Sequence, residues 1–333
     1  MRLISLAVVT GVGVLAAFGG VALAQRSGGE CTVEPLAQPA PGAYSLVLAM
    51  DPGGRHIAGR TGRPGDVDLD LVLWTDGRPS VADLPGENQV PHAVNASGVA
   101  VGSTIFGSLG GLQELRAWIY RDGAVATLPG EGSSEAFAVS DDGAVAGTLA
   151  GRPVVWRPAA AAPTVLAPDG RALGISADGR TIVGQTGVGG QTRPYVWTDG
   201  GTPRELPLPT IDGETAMTAI AQSITGDWIV GMATTRDDDR GVPARWNLRT
   251  GDVVAFPGHS LAGGSISADG RFTAQDDRRA TVSGGPETLT LPRLDGNAGL
   301  RDSPSAISLD GRVVAGNAGN APVVWRCGAT GSS

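Results

Sequence analysis

The sequence predicts an all-β chain: a seven-bladed β-propeller of four-stranded antiparallel blades, the last blade completed by the N-terminal strand. Three observations predict it. Fifty-two Gly and 23 Pro in 333 residues, with apolar residues in short alternating runs of Val, Ala, Ile and Leu, mean many turns and little helix. One turn motif recurs seven times at a blade-sized period. The last copy lacks its fourth strand, and the segment just after an N-terminal leader reads like one.

The leader comes first. Arg2 precedes an apolar run from Leu3 to Phe18, and Val21-Ala22-Leu23-Ala24 before Gln25 has alanines where a signal peptidase reads. Residues 1–24 are therefore expected to be a signal peptide and residues 25–333 a single exported domain, extracellular, on the cell surface or periplasmic. The run is short for a membrane span and no later stretch is long enough for one, so no span is expected after cleavage. The small-apolar tripeptide of a lipidated cysteine is absent before Cys31.

The repeat follows. Ile175-SADGRTIVG and Ile307-SLDGRVVAG are the clearest copies; others begin at Ala49, Ala93, Ala138, Ala221 and Ser265. Their turn glycines are Gly54, Gly98, Gly143, Gly179, Gly226, Gly270 and Gly311, spaced 44, 45, 36, 47, 44 and 41 residues apart. The repeats then span about 44–90, 91–135, 136–170, 171–217, 218–262, 263–303 and 304–327, with a flexible tail over 328–333. In each, a strand ends at Ser, Asn or Asp, whose side chain can bond the backbone two residues on, and a turn glycine accepts positive φ. A second strand returns, a connection of variable length follows, and a third strand ends in an aromatic: Trp74, Tyr120, Trp156, Trp197, Trp246 or Trp325, with Val282 in the sixth copy. A second tight turn leads to a fourth strand ending near Leu-Pro, as at Leu84-Pro85 and Leu206-Pro207. Aromatics at one equivalent place in nearly every copy are expected to pack between blades.

The two cysteines test this register. CTVEPLAQ from Cys31 reads like PSVADLPG from Pro79, so a strand over about 31–38 closes the last blade. Setting Leu36 on Leu84 puts Cys31 at the place of Pro79; setting Trp325 on Trp74 puts Cys327 at that of Asp76. Those sites flank a tight turn, so a Cys31–Cys327 disulfide is expected to stand in for the missing covalent turn, free thiols being the alternative.

On these copies the chain resembles the HAF family of extracellular repeats, whose pattern is roughly Ala-x-x-Ile-Asn/Ser-x-x-Gly-x-x-Val-Gly with a following aromatic strand. The likeness spans nearly all of the chain after the leader. It implies an extracellular setting and a propeller-like fold, and brings no catalytic residues. The SxDG turn is also similar to TolB-type propeller repeats. The sixth copy departs, with Gln275 in place of the glycine after the second strand and Val282 in place of the aromatic.

Composition and motifs narrow the chemistry. All 25 basic residues are Arg, which excludes lysine nucleophiles and Schiff bases, and a net charge of −8 repels phosphate backbones, so nucleic acid is not an expected partner. His56, His92 and His259 lack metal-ligand spacing, and no nucleophile elbow or phosphate loop is present; no catalytic residue, cofactor or metal site is assigned. Asp66, Asp68 and Asp70 alternate as on a strand face, or as the start of a calcium loop whose glycine is replaced by Leu71. The runs 236–240 and 276–279 read as charged loop tips.

Topology then places function. The first and third turns of each blade are tight and share one face of the ring; the second and fourth connections vary and share the other. That face is expected to carry Glu87, His92, Arg116, Glu131, Glu135, Arg193, Asp212, Glu214, Asp237 and Arg240 as ligand-binding candidates. The expected function is a monomeric, non-catalytic binding module for an extracellular protein or glycan. The alternatives are a hydrolase or lyase acting on an extracellular polymer, and a structural element of the envelope.

Overall fold

A computed structural model describes residues 31–66, 68–84, 86–106, 114–236, 241–276, 279–284, 288–296 and 300–328. These residues form seven four-stranded antiparallel sheets, and no helix occurs among them. The innermost strands are Tyr44–Met50, Glu87–Val94, Ser134–Val139, Arg171–Ile175, Thr218–Thr225, Ser260–Ile266 and Asp302–Ile307, and each leads outward through three more strands. The seventh sheet contains three strands from the C-terminal end of the chain and, outermost, Cys31–Pro35 from the N-terminal end. A small hairpin, Thr210–Ile211 with Glu214–Thr215, is inserted between blades 4 and 5. Some connections expected to be loops are extended hairpin arms instead. Thr181–Val188 pairs with Gln191–Thr198 as far as Val188 opposite Gln191, with Gly189-Gly190 alone forming the turn.

The hydrophobic core is divided into seven clusters, one at each seam between neighbouring blades. The third-strand aromatics key into them as expected. Trp74, Trp156, Trp246 and Trp325 are buried, and each indole N–H donates, at 2.7–2.8 Å, to a carbonyl just beyond the fourth strand of the preceding blade: Ala37, Pro129, Pro207 and Pro292. The repeated Leu-Pro therefore supplies the acceptor for the next blade's tryptophan, and Leu36-Ala37 plays that part at the ring closure. The seam between blades 7 and 1 is also held by Asn317, whose amide accepts from Val47 N–H (2.9 Å) and donates to Val47 C=O (3.1 Å).

Blade 6 corrects the sequence register by one residue. Its first turn is shorter, so Ala274, not Gln275, occupies the glycine position, and Ser283, not Val282, lies where other blades place the aromatic. Phe272 fills the space from the facing strand, fully buried and edge-on to Phe256 at 5.0 Å. A large residue has moved across one rung of the ladder, which conserves seam volume.

The disulfide is present, with Cα atoms 4.0 Å apart. Its register also differs from the sequence alignment. Trp325 pairs with Val33 as Trp74 pairs with Pro79, so Cys327 and Cys31 stand where blade 1 has Asp76 and Gly77. Blade 1 has two more residues between this pairing and its Leu84 than the N-terminal strand has before Leu36, which displaced the alignment. Asp76 (φ 49°) and Gly77 (φ 75°) are the two central residues of a type I′ hairpin turn. The disulfide thus occupies the place of the turn itself.

One feature of the ladders positions the candidate site. In six blades one residue near the middle or end of the innermost strand has no counterpart on the second: Leu48, His92, Phe137, Leu173, Gln222 and Ser305, blade 2 having a further irregularity between Glu87 and Val90. Each is a β-bulge that turns an extra side chain toward the ring axis. The bulge brings an upstream carbonyl over the glycine of the second strand. A Cβ on Gly59, Gly147 or Gly231 would lie only 2.0, 2.1 or 1.9 Å from the carbonyl oxygen of Leu46, Glu135 or Ile220. The recurrent Val/Ala-Gly of the repeat is thus what makes the bulge possible. Blade 6 has Ala274 in that place, and its innermost strand departs by a wider irregularity between Leu261 and Ile266, with Gly263 (φ 75°) and Gly264 (φ 106°) inside it. Replacing Gly147 by Ala is expected to destabilise the protein by about 1–3 kcal/mol through overpacking. Gly213, which has open space around it, suffers only its positive-φ strain. Denaturant melts of G147A and G213A compare the two.

Candidate functional site

The bulges build a belt around the central channel. Leu48, His92, Phe137, Leu173, Gln222 and Ser305 are all half-buried and line one cavity of about 470 Å³, with Gly263 and Gly264 leaving a gap at blade 6. Each belt residue precedes a small residue and then an aliphatic one: Ala49-Met50, Ala93-Val94, Ala138-Val139, Gly174-Ile175, Ser223-Ile224 and Ala306-Ile307. The small residues leave the lumen open, and the aliphatic positions form its apolar wall toward the tight-turn face. Pro52 and Leu309 stand at that mouth, and Leu309 is 47% exposed.

Polar groups converge on one side of the belt. The His92 and Phe137 rings lie 5.2 Å apart, and the Arg171 guanidinium sits 4.5 Å above the Phe137 centroid. Arg171 Nη2 is 3.2 Å from Glu135 Oε2. His92 Nε2 lies 3.1 Å from Ser103 Oγ. Burial, then the positive charges of Arg171 and Arg60, lower the His92 pKa to about 4, so the imidazole is neutral at physiological pH.

Of the ten binding candidates, His92 lines the channel and Glu135 is joined to it through its ion pair with Arg171. Glu87 and Glu131 are exposed at the start of blade 2 and in the connection to blade 3. Arg116 is paired with Glu114 at 2.8 Å, and Arg193 with Glu205 at 3.4 Å. Arg193 also donates to the Met217 carbonyl and the Gln191 side chain. Asp212 and Glu214 are exposed on the inserted hairpin. Asp237 and Arg240 lie outside the described residues. Arg171, Phe137 and Gln222 were missed. The available signal was the variable residue just before the constant small–aliphatic pair of each copy.

The acidic stretch behaves as a strand entry. Asp70 opens the strand Asp70–Thr75, and burial, followed by Asp83, Asp68 and Asp66, raises its pKa. Among the described residues no cluster of three His, Cys, Asp or Glu has metal-holding geometry.

The tight-turn face repeats one kind of turn in most blades. In blades 3, 4, 6 and 7 the turn serine hydroxyl bonds an aspartate two residues on, as in Ser176–Asp178 and Ser308–Asp310 at 2.6 Å. Successive turns are stitched by Asn95 Nδ2 to Ser140 C=O, Asp141 N to Ala177 C=O, and Leu309 N to Pro52 C=O. The side-chain bonds from serine lower the pKa values of Asp142, Asp178 and Asp310.

Fold and closure define the class: a disulfide-closed, seven-bladed β-propeller. No protein-family model and no curated protein matches the sequence. Solved structures do match in fold. The extracellular domain of a putative one-component system from B. thetaiotaomicron aligns with a TM-score of 0.54 and 13% identity, over 88% of this chain and 39% of that one. A chain of the COPII outer-coat vertex aligns with a TM-score of 0.54 and 10% identity, over 85% and 84%. A putative TolB from Agrobacterium tumefaciens aligns with a TM-score of 0.47 and 14% identity, over 68% and 88%. At these identities the likeness is one of fold alone.

Proposed function

We propose that this propeller is an exported, monomeric, non-catalytic interaction module of the HAF-repeat kind. Its variable-connection face engages an extracellular protein or glycan. The observation that carries the reading is the asymmetry of the two faces. One carries short turns, those of blades 2 to 4 and of blades 6, 7 and 1 joined in series by hydrogen bonds. The other carries connections of differing length, including an inserted hairpin, held on a rigid scaffold. The paired cysteines fit an oxidising compartment, and a domain of similar fold is extracellular in the B. thetaiotaomicron protein.

The test is a glycan and protein array probed with the secreted form. A variant carrying Lys at Glu87, Glu131, Asp212 and Glu214 follows. Those side chains are exposed, so folding should be unchanged while binding falls at least about tenfold. If binding instead tracks changes at Asp178 and Asp310 on the opposite face, the assignment is wrong.

A further inference from the structure

We propose that the central channel is a separate binding site for a monoanionic amphiphile, an alkyl or aryl carboxylate whose head is held at Arg171 and whose body lies along the apolar wall. This does not depend on what the loop face binds. The cavity, at about 470 Å³, is of the size that holds a small organic molecule. Among the described residues its lining contains Arg171 and no Asp or Glu, in a chain whose net charge is −8.

The site is built rather than incidental. Glu135 fixes Arg171 through one Nη and Phe137 supports the guanidinium plane from below, while 43% of the Arg171 side chain stays exposed. A guanidinium carries five N–H donors in a fork, so one ion pair leaves an edge able to take a second carboxylate. Arg60 lies close enough to act on His92 together with Arg171. The edge of Arg171 that Glu135 leaves uncovered takes one carboxylate, which matches a monoanion. The wall toward the tight-turn face is aliphatic, with Met50, Val94, Ile175 and Ile224, and suits an apolar body, while polar side chains such as Gln222 and Ser305 stand at the belt. The apolar tail has an exit at Leu309 and Pro52, on the face opposite the variable connections.

The experiment is calorimetric titration of the exported, disulfide-closed protein with decanoate, decanol and decylammonium, each below its micelle concentration. Decanoate is expected to bind saturably at one site. Decanol should bind about ten- to a hundredfold more weakly, the contribution of a charge-assisted pair, and decylammonium more weakly still. Arg171→Gln should bring decanoate down to the level of decanol and leave decanol unchanged. Leu173→Trp, which fills the lumen from the belt, should abolish both. As a second measurement on the unmodified protein, the His92 and Phe137 ring resonances should move in proportion to decanoate occupancy. Absence of saturable decanoate binding, equal affinities for decanoate and decanol, or His92 and Phe137 resonances unmoved at saturation would overturn the proposal.

Discussion

Replacing both cysteines by serine should lower the unfolding midpoint by about 8 °C. The bridge spans 296 residues, and on the chain-entropy account a loop that long contributes roughly 5 kcal/mol by restricting the unfolded chain. For a domain of about 300 residues that free energy corresponds to a shift of about this size. The loss should be local in structure. Without the bridge, Cys31–Pro35 is held to Ala321–Cys327 by ladder bonds, by Leu36 N–H to Pro322 C=O (2.8 Å), and by the Trp74–Ala37 bond beyond. Amide exchange should therefore accelerate first in Cys31–Pro35 and hardly at all in blades 3 to 5. Paired thermal melts with and without reductant, with exchange mapped by mass spectrometry, make the comparison. An unchanged midpoint would mean that the noncovalent seam alone closes the ring.

The second large effect is in pH. His92 is held at about 4 against an ordinary histidine value near 6.5. Above pH 6.5 the ring is neutral in both folded and unfolded chains, and stability is at its full value. Between pH 6.5 and 4 the unfolded chain takes up a proton that the folded channel refuses, so stability falls, by about 3 kcal/mol in all. Asp142, Asp178 and Asp310, with lowered pKa values, withdraw their contributions only at lower pH. Asp70 and Asp302 act in the opposite sense, since burial raises their pKa values and protonation relieves them. Comparing wild type with His92→Gln isolates the histidine: wild type should lose about 3 kcal/mol relative to the variant as pH falls from 6.5 to 4. Parallel curves would show that the channel does not exclude the proton.

The limits of sequence reading are clearest where blades differ by one or two residues. Leu36 aligned on Leu84 because both lie just beyond the end of a fourth strand, yet blade 1 carries two residues more before its leucine, and the cysteines shifted accordingly. Val282 read as the substituted aromatic because the first turn of blade 6 is shorter, which only the ladder reveals. Both slips left the blade count intact, since each blade is an autonomous hairpin series and errors do not propagate round the ring. The candidate site fared differently. Six of the ten candidates, Glu87, Arg116, Glu131, Arg193, Asp212 and Glu214, were chosen for their connections and are spread over blades 2 to 5, while Asp237 and Arg240 lie outside the described residues. The channel residues Phe137, Arg171 and Gln222 went unnoticed.

By itself, then, the sequence determined what local chemistry repeats: seven turn glycines, an aromatic key at most third strands, a fourth strand ending in an acceptor carbonyl, and a last blade that needs the N-terminus. These are properties of short segments, specified by φ preferences, alternation and side-chain size. Only the tertiary structure decided which side chains share a space. The belt depends on a bulge that no single strand specifies. It arises because a glycine on one strand lets a carbonyl of its neighbour approach within a distance that any Cβ would forbid. Ring closure then brings six such bulges, spread over more than 250 residues of sequence, around one axis.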